Sequence, residues 1–441
     1  MAEMKDSGIE WIRKIPKDWK INKIKYLFSS NKGLSITKEN LIEEGLPVVS
    51  YGQIHSKANT GIDIGDELLR FVSYDYQKNN NNCKVDKFDF IFADTSEDYE
   101  GCGNCVYKRN EGLLFAGYHS IILHSKRKRD NRYLAYLFLT DLWRKQLREK
   151  ASGVKVFSIT QKNLTNASVI LPPEDEQVKI ANILDKKCTE IDSIIKDEKQ
   201  QIETLEEYKK SIITETVTKG LNPAVEMKDS GVRWIGKIPK HWITKKIKNI
   251  GEYRNGLTYN PTDMVDKNEG ILVLRSSNVQ NGKIVYDDNV YVNMSIRPKL
   301  KVQKGDILIC SRNGSQELIG KNAIIEDKIE ASFGAFMMIF RCNCPKYMYY
   351  ILNSAVFKYY LGSFFTSTIN QLTGNNFGNM KIVFCDDSKE RNKIVEFLDK
   401  KCAEIDSIIA DKKQQLETLE QYKKSLIYEY VTGKKEVTDN E

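Results

Sequence analysis

Two stretches of the chain place apolar residues at alternating steps of four and three. In the first stretch these positions are Leu184, Cys188, Ile191, Ile195, Glu198, Ile202, Leu205, Lys209 and Ile212. In the second they are Leu398, Cys402, Ile405, Ile409, Lys412, Leu416, Leu419, Lys423 and Leu426. Steps of four and three average 3.5 residues, which is the seam of a left-handed coiled coil. The pattern therefore predicts two long helices.

The ends of the predicted helices carry ordinary boundary signals. Prolines and acidic residues at 172–176 favour a first helical turn, and Gly220 and Gly433 favour an end. A helix over 175–218 would be roughly 66 Å long at ~1.5 Å per residue. A helix of that length does not bury its apolar stripe alone. Its obvious partner is the other copy.

The direction of pairing follows from the order of segments. Residues 4–19 and 227–242 share 12 of 16 positions, and residues 187–218 and 401–432 share 24 of 32. The stretches enclosed by these blocks, roughly 20–174 and 243–387, are nearly unrelated. If each variable domain starts and ends near the same place, the second helix returns past the first. We therefore predict an antiparallel coiled coil with pseudo-two-fold symmetry. The alternative is two unconnected modules, whose seams would then need outside partners.

The two variable domains show mixed α/β patterning. Short β-branched runs predict strands at 46–50, 89–93, 118–123, 271–275, 306–310 and 335–340, and amphipathic runs predict helices at 133–147 and 347–361. The predicted fold class is α+β, with two α/β domains separated by two long antiparallel helices. The predicted boundaries are 1–174, 175–220, 221–387, 388–433 and a tail at 434–441.

Composition narrows the class of protein. The 441 residues are 41 % hydrophobic and 29 % charged, as in globular proteins, and the net charge is 68 − 60 = +8. A basic surplus suits a polyanionic partner. The densest apolar run, 333–340, is far shorter than the ~18–20 residues of a membrane span, so we expect no membrane partner. Nine cysteines without a regular framework indicate reduced thiols and a cytoplasmic location.

The chain lacks the usual motifs of catalysis, and one group of its residues has the spacing of a metal site. Gly320-Lys321 is followed by Asn322 and not by the Ser or Thr of a phosphate-binding loop, and no Asn-Pro-Pro-Tyr motif for amino-methylation is found. One group, Cys102, Cys105, His119 and His124, has zinc-finger spacing. A strand through the two histidines would point them to opposite faces, so we predict no metal site. Because the catalytic motifs are missing, we also predict no catalytic residue.

The duplicated arrangement resembles a known family. Residues 14–19 (KIPKDW) and 237–242 (KIPKHW) look like its domain-start motif, and residues 170–177 (ILPPEDEQ) look like its helix-start motif. In this order they resemble the specificity subunit of type I restriction-modification systems. The resemblance implies two target recognition domains, each reading one half of a bipartite, asymmetric site in double-stranded DNA. It also implies helices that set the unread spacer and dock two modification (methyltransferase) subunits.

The resemblance further implies a restriction (translocase) subunit as a partner. The specificity subunit would bind no cofactor and catalyse nothing, while its partners would use S-adenosylmethionine, ATP and Mg. Loops that follow strands are the expected reading surface, because groove readout needs Arg, Lys, Asn and Gln side chains. The candidate DNA contacts are Gln53, His55, Lys126, Arg127, Lys155, Arg275, Ser277, Asn278, Arg312, Asn313 and Gln371.

The repeated Tyr-Lys pairs of the helices are candidates for partner docking, namely Tyr208, Lys209, Tyr422 and Lys423. The plainer interpretations are solvated turns for the loops and ordinary coiled-coil surface for these pairs. Two rival functions also stay open. A single-chain site-specific nuclease or methyltransferase would act on DNA alone, and a coiled-coil adaptor with protein-binding domains would lack salt-sensitive DNA affinity.

Overall fold

The structure, a computed structural model, describes residues 3–127, 129–364 and 370–437. The chain divides into two compact units, one formed by Met1–Asp197 with Gln415–Glu441 and the other by Glu198–Gln414. Both boundaries fall inside long helices. The first long helix is Glu174–Lys219 and the second long helix is Ser388–Val431. Within the described residues, no helix has the length and apolar character that crossing a bilayer requires.

The two long helices pair inside each unit. In the first unit, Leu184 and Ile191 share a core with Leu426 and Tyr430. In the second unit, Ile213 and Val217 share a core with Ile394, Leu398 and Cys402. The apolar seam of each helix is thus buried against the other copy, as its periodicity predicts.

Ion pairs fill the polar positions of this seam and show its direction. In the second unit, Lys412 Nζ lies 3.0 Å from Glu198 Oε2, and Lys209 Nζ lies 2.6 Å from Asp406 Oδ1. Residue numbers rise along one helix while they fall along the other, so the helices are antiparallel. The antiparallel coiled coil is confirmed.

Each variable domain contains two sheets. In the first unit, one sheet has the order Phe28–Lys32, Ser120–Ser125, Phe90–Ala93 and Cys105–Tyr107, and the other has Phe115–Ala116, Leu46–Val49 and Arg70–Val72. In the second unit, the orders are Gly251–Asn255, Met337–Cys342, Ile307–Cys310 and Asn322–Ile324, and Met264–Val265, Val290–Val292, Ile271–Leu274 and Ala331–Phe333.

The two domains share topology and register. Phe90 pairs with Leu123 in the first domain, and Ile307 pairs with Phe340 in the second, so both partners are displaced by 217 positions. In each domain one pair of strands is parallel, Leu46–Val49 with Phe115–Ala116 and Ile271–Leu274 with Ala331–Phe333. The predicted α/β fold, common to both domains, is confirmed.

Smaller elements complete the units. Two-stranded pairs join Met4–Ile9 with Ile12–Pro16, Lys20–Lys23 with Ser168–Leu171, Thr95–Ser96 with Phe157–Ser158, Met227–Asp229 with Lys237–Pro239, Ile243–Lys246 with Lys381–Phe384, and Val279–Gln280 with Lys283–Ile284. Short helices are Ile24–Leu27, Tyr51–Ile54, Tyr76–Asn79, Arg132–Leu139, Asp141–Arg148, Gln161–Thr165, Pro345–Leu352, Ala355–Phe364 and Gly374–Asn379.

The helix predicted at 133–147 is two helices in the structure. Thr140 adopts an extended backbone, and its hydroxyl accepts a hydrogen bond from the Trp143 amide as the cap of the second helix. A threonine that caps a helix also ends the one before it, because its extended backbone breaks the hydrogen-bond ladder. The helix predicted at 347–361 is likewise divided, after Leu352.

Buried tryptophans attach each repeated N-terminal segment to a long helix. Trp19 Nε1 donates to Glu176 Oε2 at 3.1 Å, and Trp242 Nε1 donates to Glu390 Oε1 at 3.2 Å. Both indoles are almost wholly buried. A buried indole N–H needs an acceptor, and a glutamate in the first helical turn also suits the positive end of the helix. The same tryptophan–glutamate hydrogen bond therefore occurs once in each unit.

A buried carboxylate precedes the corresponding strands Phe90–Ala93 and Ile307–Cys310 and meets a different cation in each domain. Asp89 Oδ2 lies 2.8 Å from His124 Nδ1, whereas Asp306 accepts two hydrogen bonds from Arg341 at 2.6 and 2.7 Å. Burial disfavours the charged imidazole, but the hydrogen bond and charge of Asp89 outweigh this effect and raise the pKa of His124. The imidazole of the first pair therefore loses its charge as the pH rises through its pKa, whereas the guanidinium of the second pair keeps its charge.

We expect charge reversal at the seam to be destabilising and a charge swap to restore stability. Lys412→Glu places two carboxylates together at a site where the side chains are 19 % and 16 % exposed. The expected cost is roughly 2 kcal/mol, between that of exposed and fully buried pairs. Thermal unfolding measures it. The double variant Glu198→Lys with Lys412→Glu should recover most of the loss, and equal melting temperatures for single and double variants would contradict the pairing.

We also expect the first sheet to loosen as the pH rises through the raised pKa of His124. Because the pKa of His124 is raised in the folded protein, its stabilising contribution is complete below the ordinary value of 6.5 and is lost as pH rises through the raised value. Hydrogen exchange of Ser120–Ser125, corrected for intrinsic rates, should speed up across this window. The matched strand Met337–Cys342, which contains Arg341, is the internal control. His124→Arg should abolish the difference, and equal pH dependence in both strands would refute the assignment.

Candidate nucleic-acid interface

Each variable domain brings three loops to one edge of its sheets. Neighbouring parallel strands end at the same edge, so the loops after Val49 and Ala116 meet in the first domain. The loop after Ala93 joins them, because that strand runs antiparallel to Ser120–Ser125. In the second domain the loops after Leu274, Cys310 and Phe333 meet in the same way.

In the first domain this edge carries a cluster of aromatic and hydrogen-bonding side chains. The Tyr51 ring lies 5.5 Å from that of Tyr118 and 5.4 Å from that of His119. Thr95 Oγ1 donates to Asp94 Oδ1 at 2.7 Å, and His119 Nδ1 lies 3.3 Å from both oxygens. His119 has a left-handed backbone, with φ of 54°, and its side chain is 57 % exposed. The cluster therefore presents an oriented imidazole to solvent.

In the second domain the same edge carries different chemistry. The Arg312 guanidinium lies over the Phe336 ring, 5.2 Å from its centroid, and Phe336 is 56 % exposed. Asn313 Nδ2 donates to Ser276 Oγ at 3.2 Å. Gln371 pairs with Arg312 through a backbone bridge. The predicted residues Arg312, Asn313 and Gln371 are thus brought together.

The loop 275–278 divides into exposed and internal side chains. Arg275 donates to Asp288 Oδ2 at 2.7 Å, so its charge is already paired. Asn278 is fully buried and donates to the carbonyl of Val285 and to Asn289. The hydroxyl of Ser277 is buried too. Burial favours a structural role for Asn278, since a buried amide that bonds its own loop holds the shape of that loop. The Ser277 hydroxyl has no hydrogen-bond partner within the described residues.

Two predicted contacts of the first domain are occupied inside their loop. Gln53 Oε1 accepts from the Ser50 amide at 3.2 Å. The two ring nitrogens of His55 lie 2.8 Å from the Thr95 carbonyl and 3.1 Å from Asn104 Nδ2. The side chains therefore position the loop, although both stay half-buried at the edge.

The loop of Lys155 borders this edge. Lys155 is exposed, and the strand that follows it, Phe157–Ser158, pairs with Thr95–Ser96. Gln371 corresponds to Ser158, because it pairs with Arg312 as Ser158 pairs with Thr95. Residues 365–369, which precede Gln371, lie outside the described residues.

The basic run after Ser125 lies away from this edge, and its predicted contact with DNA phosphate stays a prediction. Lys126 and Arg127 follow the end of Ser120–Ser125, whereas His119 precedes its start, so the strand separates them by about 20 Å. Lys126 Nζ donates to the Lys25 carbonyl, and Arg127 lies 3.8 Å from Glu174 at the start of the first long helix. Lys128 lies outside the described residues.

The two residues of each repeated Tyr-Lys pair have different environments. Lys209 binds Asp406 and Lys423 binds Asp192, each at 2.6 Å, so the lysines hold the two helices together. The docking role of the lysines stays a prediction. Tyr208 and Tyr422 are 54 % and 53 % exposed at matching places. They stay predicted docking residues.

The residues with zinc-finger spacing have other environments. His119 and His124 lie against Asp94 and Asp89, and burial raises the pKa of the Cys105 thiol to about 12. Cys102 is buried as well. Within the part of the chain that the structure describes, no three His, Cys, Asp or Glu side chains are placed to hold a metal ion.

A cleft of about 630 Å³ lies in the first unit, where the variable domain meets the paired helices. At its wall Asp185 accepts from Arg109 at 2.9 Å and from the Tyr136 hydroxyl at 2.8 Å. The second unit repeats part of this arrangement, because Asp399 accepts from Tyr350 and Lys346. These side chains join each domain to the helix beside it.

Sequence reasoning did not select His119 or Phe336 as a candidate contact. Phe336 lies in the apolar run 335–340 that predicts a strand, and nothing in that run marks its ring as exposed. Strand pairing places His119 beside Thr95 in the first domain and Phe336 beside Arg312 in the second.

Comparison with known proteins identifies the family. The family model described as the type I restriction modification DNA specificity domain matches twice, at residues 16–204 and 239–418. The chain belongs to this family. Its two matches coincide with the two copies of the repeat, so this specificity subunit carries two specificity domains.

Relatives of the specificity subunit cover most of its length. It is 26 % identical to the type I restriction enzyme MjaVIII specificity subunit of Methanocaldococcus jannaschii, over 74 % of this chain and 76 % of the relative. It is 25 % identical to the putative MjaX specificity subunit of the same organism, over 96 % and 95 %. A chain of a solved type I R-M system matches with a TM-score of 0.71 at 14 % identity, over 95 % and 99 %, which supports the fold.

Proposed function

We propose that each variable domain reads one half of a bipartite, asymmetric site in double-stranded DNA. One observation carries the proposal. Two domains of the same register and topology present different side chains at the same edge, with His119 in one and Arg312 in the other. A common scaffold with unlike reading groups suits recognition of two unlike sequences, because base discrimination depends on the donors and acceptors offered to each base edge.

The long helices would set the number of unread bases between the half-sites. They would also dock two modification subunits, one on each copy of the exposed Tyr208 and Tyr422 face. A restriction subunit with translocase activity would join this assembly. Each long helix carries one such exposed tyrosine, so the chain offers two equivalent docking positions for two methyltransferases.

Catalysis would belong to the partners. The chain itself would bind no cofactor, while S-adenosylmethionine, ATP and Mg would serve the other subunits. The methyltransferases would flip an adenine out of the duplex for modification. Because their DNA substrate is chromosomal or invading DNA inside the cell, the assembly would act in the cytoplasm.

Co-expression with its methyltransferase subunit tests the proposal. The assembly, supplied with S-adenosylmethionine, should methylate adenines in one bipartite sequence, and sequencing that detects methyladenine reads out the target. The chain alone should methylate and cut nothing, with or without Mg. Methylation without sequence preference, or activity of the purified chain alone, would contradict the proposal and favour the adaptor or the enzyme.

Lengthening both helices should change the spacer alone. Seven residues inserted into each helix, beside Glu198 and Lys412 so that the seam stays in register, add ~10 Å at ~1.5 Å per residue. This is about three base-pair steps of B-DNA. The mapped target should keep both half-sequences and gain bases between them. Insertion into only one helix breaks the pairing and serves as the control, and an unchanged spacer in the double insertion would exclude the helices as its determinant.

A further inference from the structure

At the recognition edge of each domain the same two positions are in contact, but their side chains differ between the domains. The shared register, a displacement of 217, relates Thr95 to Arg312 and His119 to Phe336. In the first domain the pair is joined by a hydrogen-bond distance of 3.3 Å, and in the second by a cation–π contact of 5.2 Å. The scaffold thus keeps the contact between the two positions while its chemistry changes.

The backbone holds this pair in place. The amides of Ser311 and Arg312 both donate to the Phe336 carbonyl, at 2.9 and 3.1 Å. Leu372 donates to the Ser311 carbonyl at 2.7 Å from the other side. Pairing on both sides makes the Arg312 backbone rigid although its side chain is exposed.

The guanidinium of Arg312 is unengaged apart from the ring. Within the described residues it makes no ion pair and no hydrogen bond, in contrast to Arg275, which is held by Asp288. A single exposed apolar ring is ordinary on a protein surface. Here, however, the ring supports a free guanidinium, and stacking on an aromatic face limits the rotamers of the arginine fork before it binds.

We propose that Arg312, oriented by Phe336, reads a guanine in the major groove of the second domain's half-site. This inference rests on the proposed function and extends it to one base. The planar fork of arginine matches the N7 and O6 acceptors of guanine with two hydrogen bonds, and no other base offers that pair. Phe336 is a positioning residue whose ring holds the fork edge-on to the base.

The corresponding group of the first domain selects a different base. Thr95 gives its hydroxyl proton to Asp94 Oδ1, so both oxygens can only accept from His119 Nδ1. The Nδ1 atom therefore carries a proton, and Nε2 of that tautomer is an acceptor. An acceptor takes an amino group, which adenine offers at N6 and cytosine at N4. The first half-site thus has adenine or cytosine where the second has guanine.

Target mapping with the methyltransferase complex tests the inference. Arg312→Lys keeps the charge but removes the fork, and it should lower guanine preference about ten-fold at one position of one half-site. All other positions, and the whole other half-site, should stay unchanged. Phe336→Leu should weaken the same position. Adding Phe336→Leu to Arg312→Ala should have no further effect, because the ring acts through the arginine.

Two controls separate this inference from the proposed function. Arg233→Ala removes an exposed arginine of the repeated N-terminal segment in the same unit and should leave the target unchanged. Thr95→Val should relax one position of the first half-site only. If the Arg312 variants leave every position intact, or weaken all sequences equally, the guanine assignment is overturned while a bipartite target still supports the proposed function. If the unmodified complex has no sequence preference, the proposed function itself fails.

Discussion

The apolar seam shared by the two long helices is the interaction on which the rest of the structure depends. A single helix of 46 residues, whose apolar side chains recur every 3.5 residues on average, would expose that apolar stripe to water, which is unfavourable. The second copy supplies the complementary stripe, so duplication solves the problem that the length of the helix creates. Charged positions within the seam then select the direction and register, as polar residues do in other coiled coils.

The ion pair between Glu198 and Lys412 shows how duplication and divergence combine. These residues occupy the same position of the two repeats, 214 residues apart, and they face each other. An exact duplication would place two equal charges in contact. Divergence of one copy to lysine turns repulsion into attraction. The pairs of Lys209 with Asp406 and of Lys423 with Asp192 need no such divergence, because the two lysines hold the same position of the repeat and so do the two aspartates.

The sheets of the variable domains also combine a constant residue with a changed partner. The buried carboxylate is present in both domains, as Asp89 and Asp306, and each needs a cationic partner because a buried charge without one is costly. Its partner changes between His124 and Arg341 without altering the register. At the exposed edge even the interaction type changes. Such a scaffold tolerates new reading groups because strand pairing and core packing, and not the loops, determine its stability.

The sequence by itself determined the repeat, the helical seam, the antiparallel direction and the presence of two α/β domains. These follow from local periodicity and from chain connectivity, which need no knowledge of distant contacts. Sequence reasoning also selected Arg312 and Asn313, since polar residues after strands meet at sheet edges, and Gln371 in a later loop.

Only the tertiary structure decided which candidates share a surface. Lys126 looked similar to Arg312 in sequence, but the strand before it carries it to the opposite edge. Asn278 looked available, but its loop folds around its amide. Phe336 looked like a strand residue, but pairing leaves its ring beside Arg312. The direction and burial of a side chain depend on which strands pair and in which register, and this is set by contacts between residues far apart in the chain.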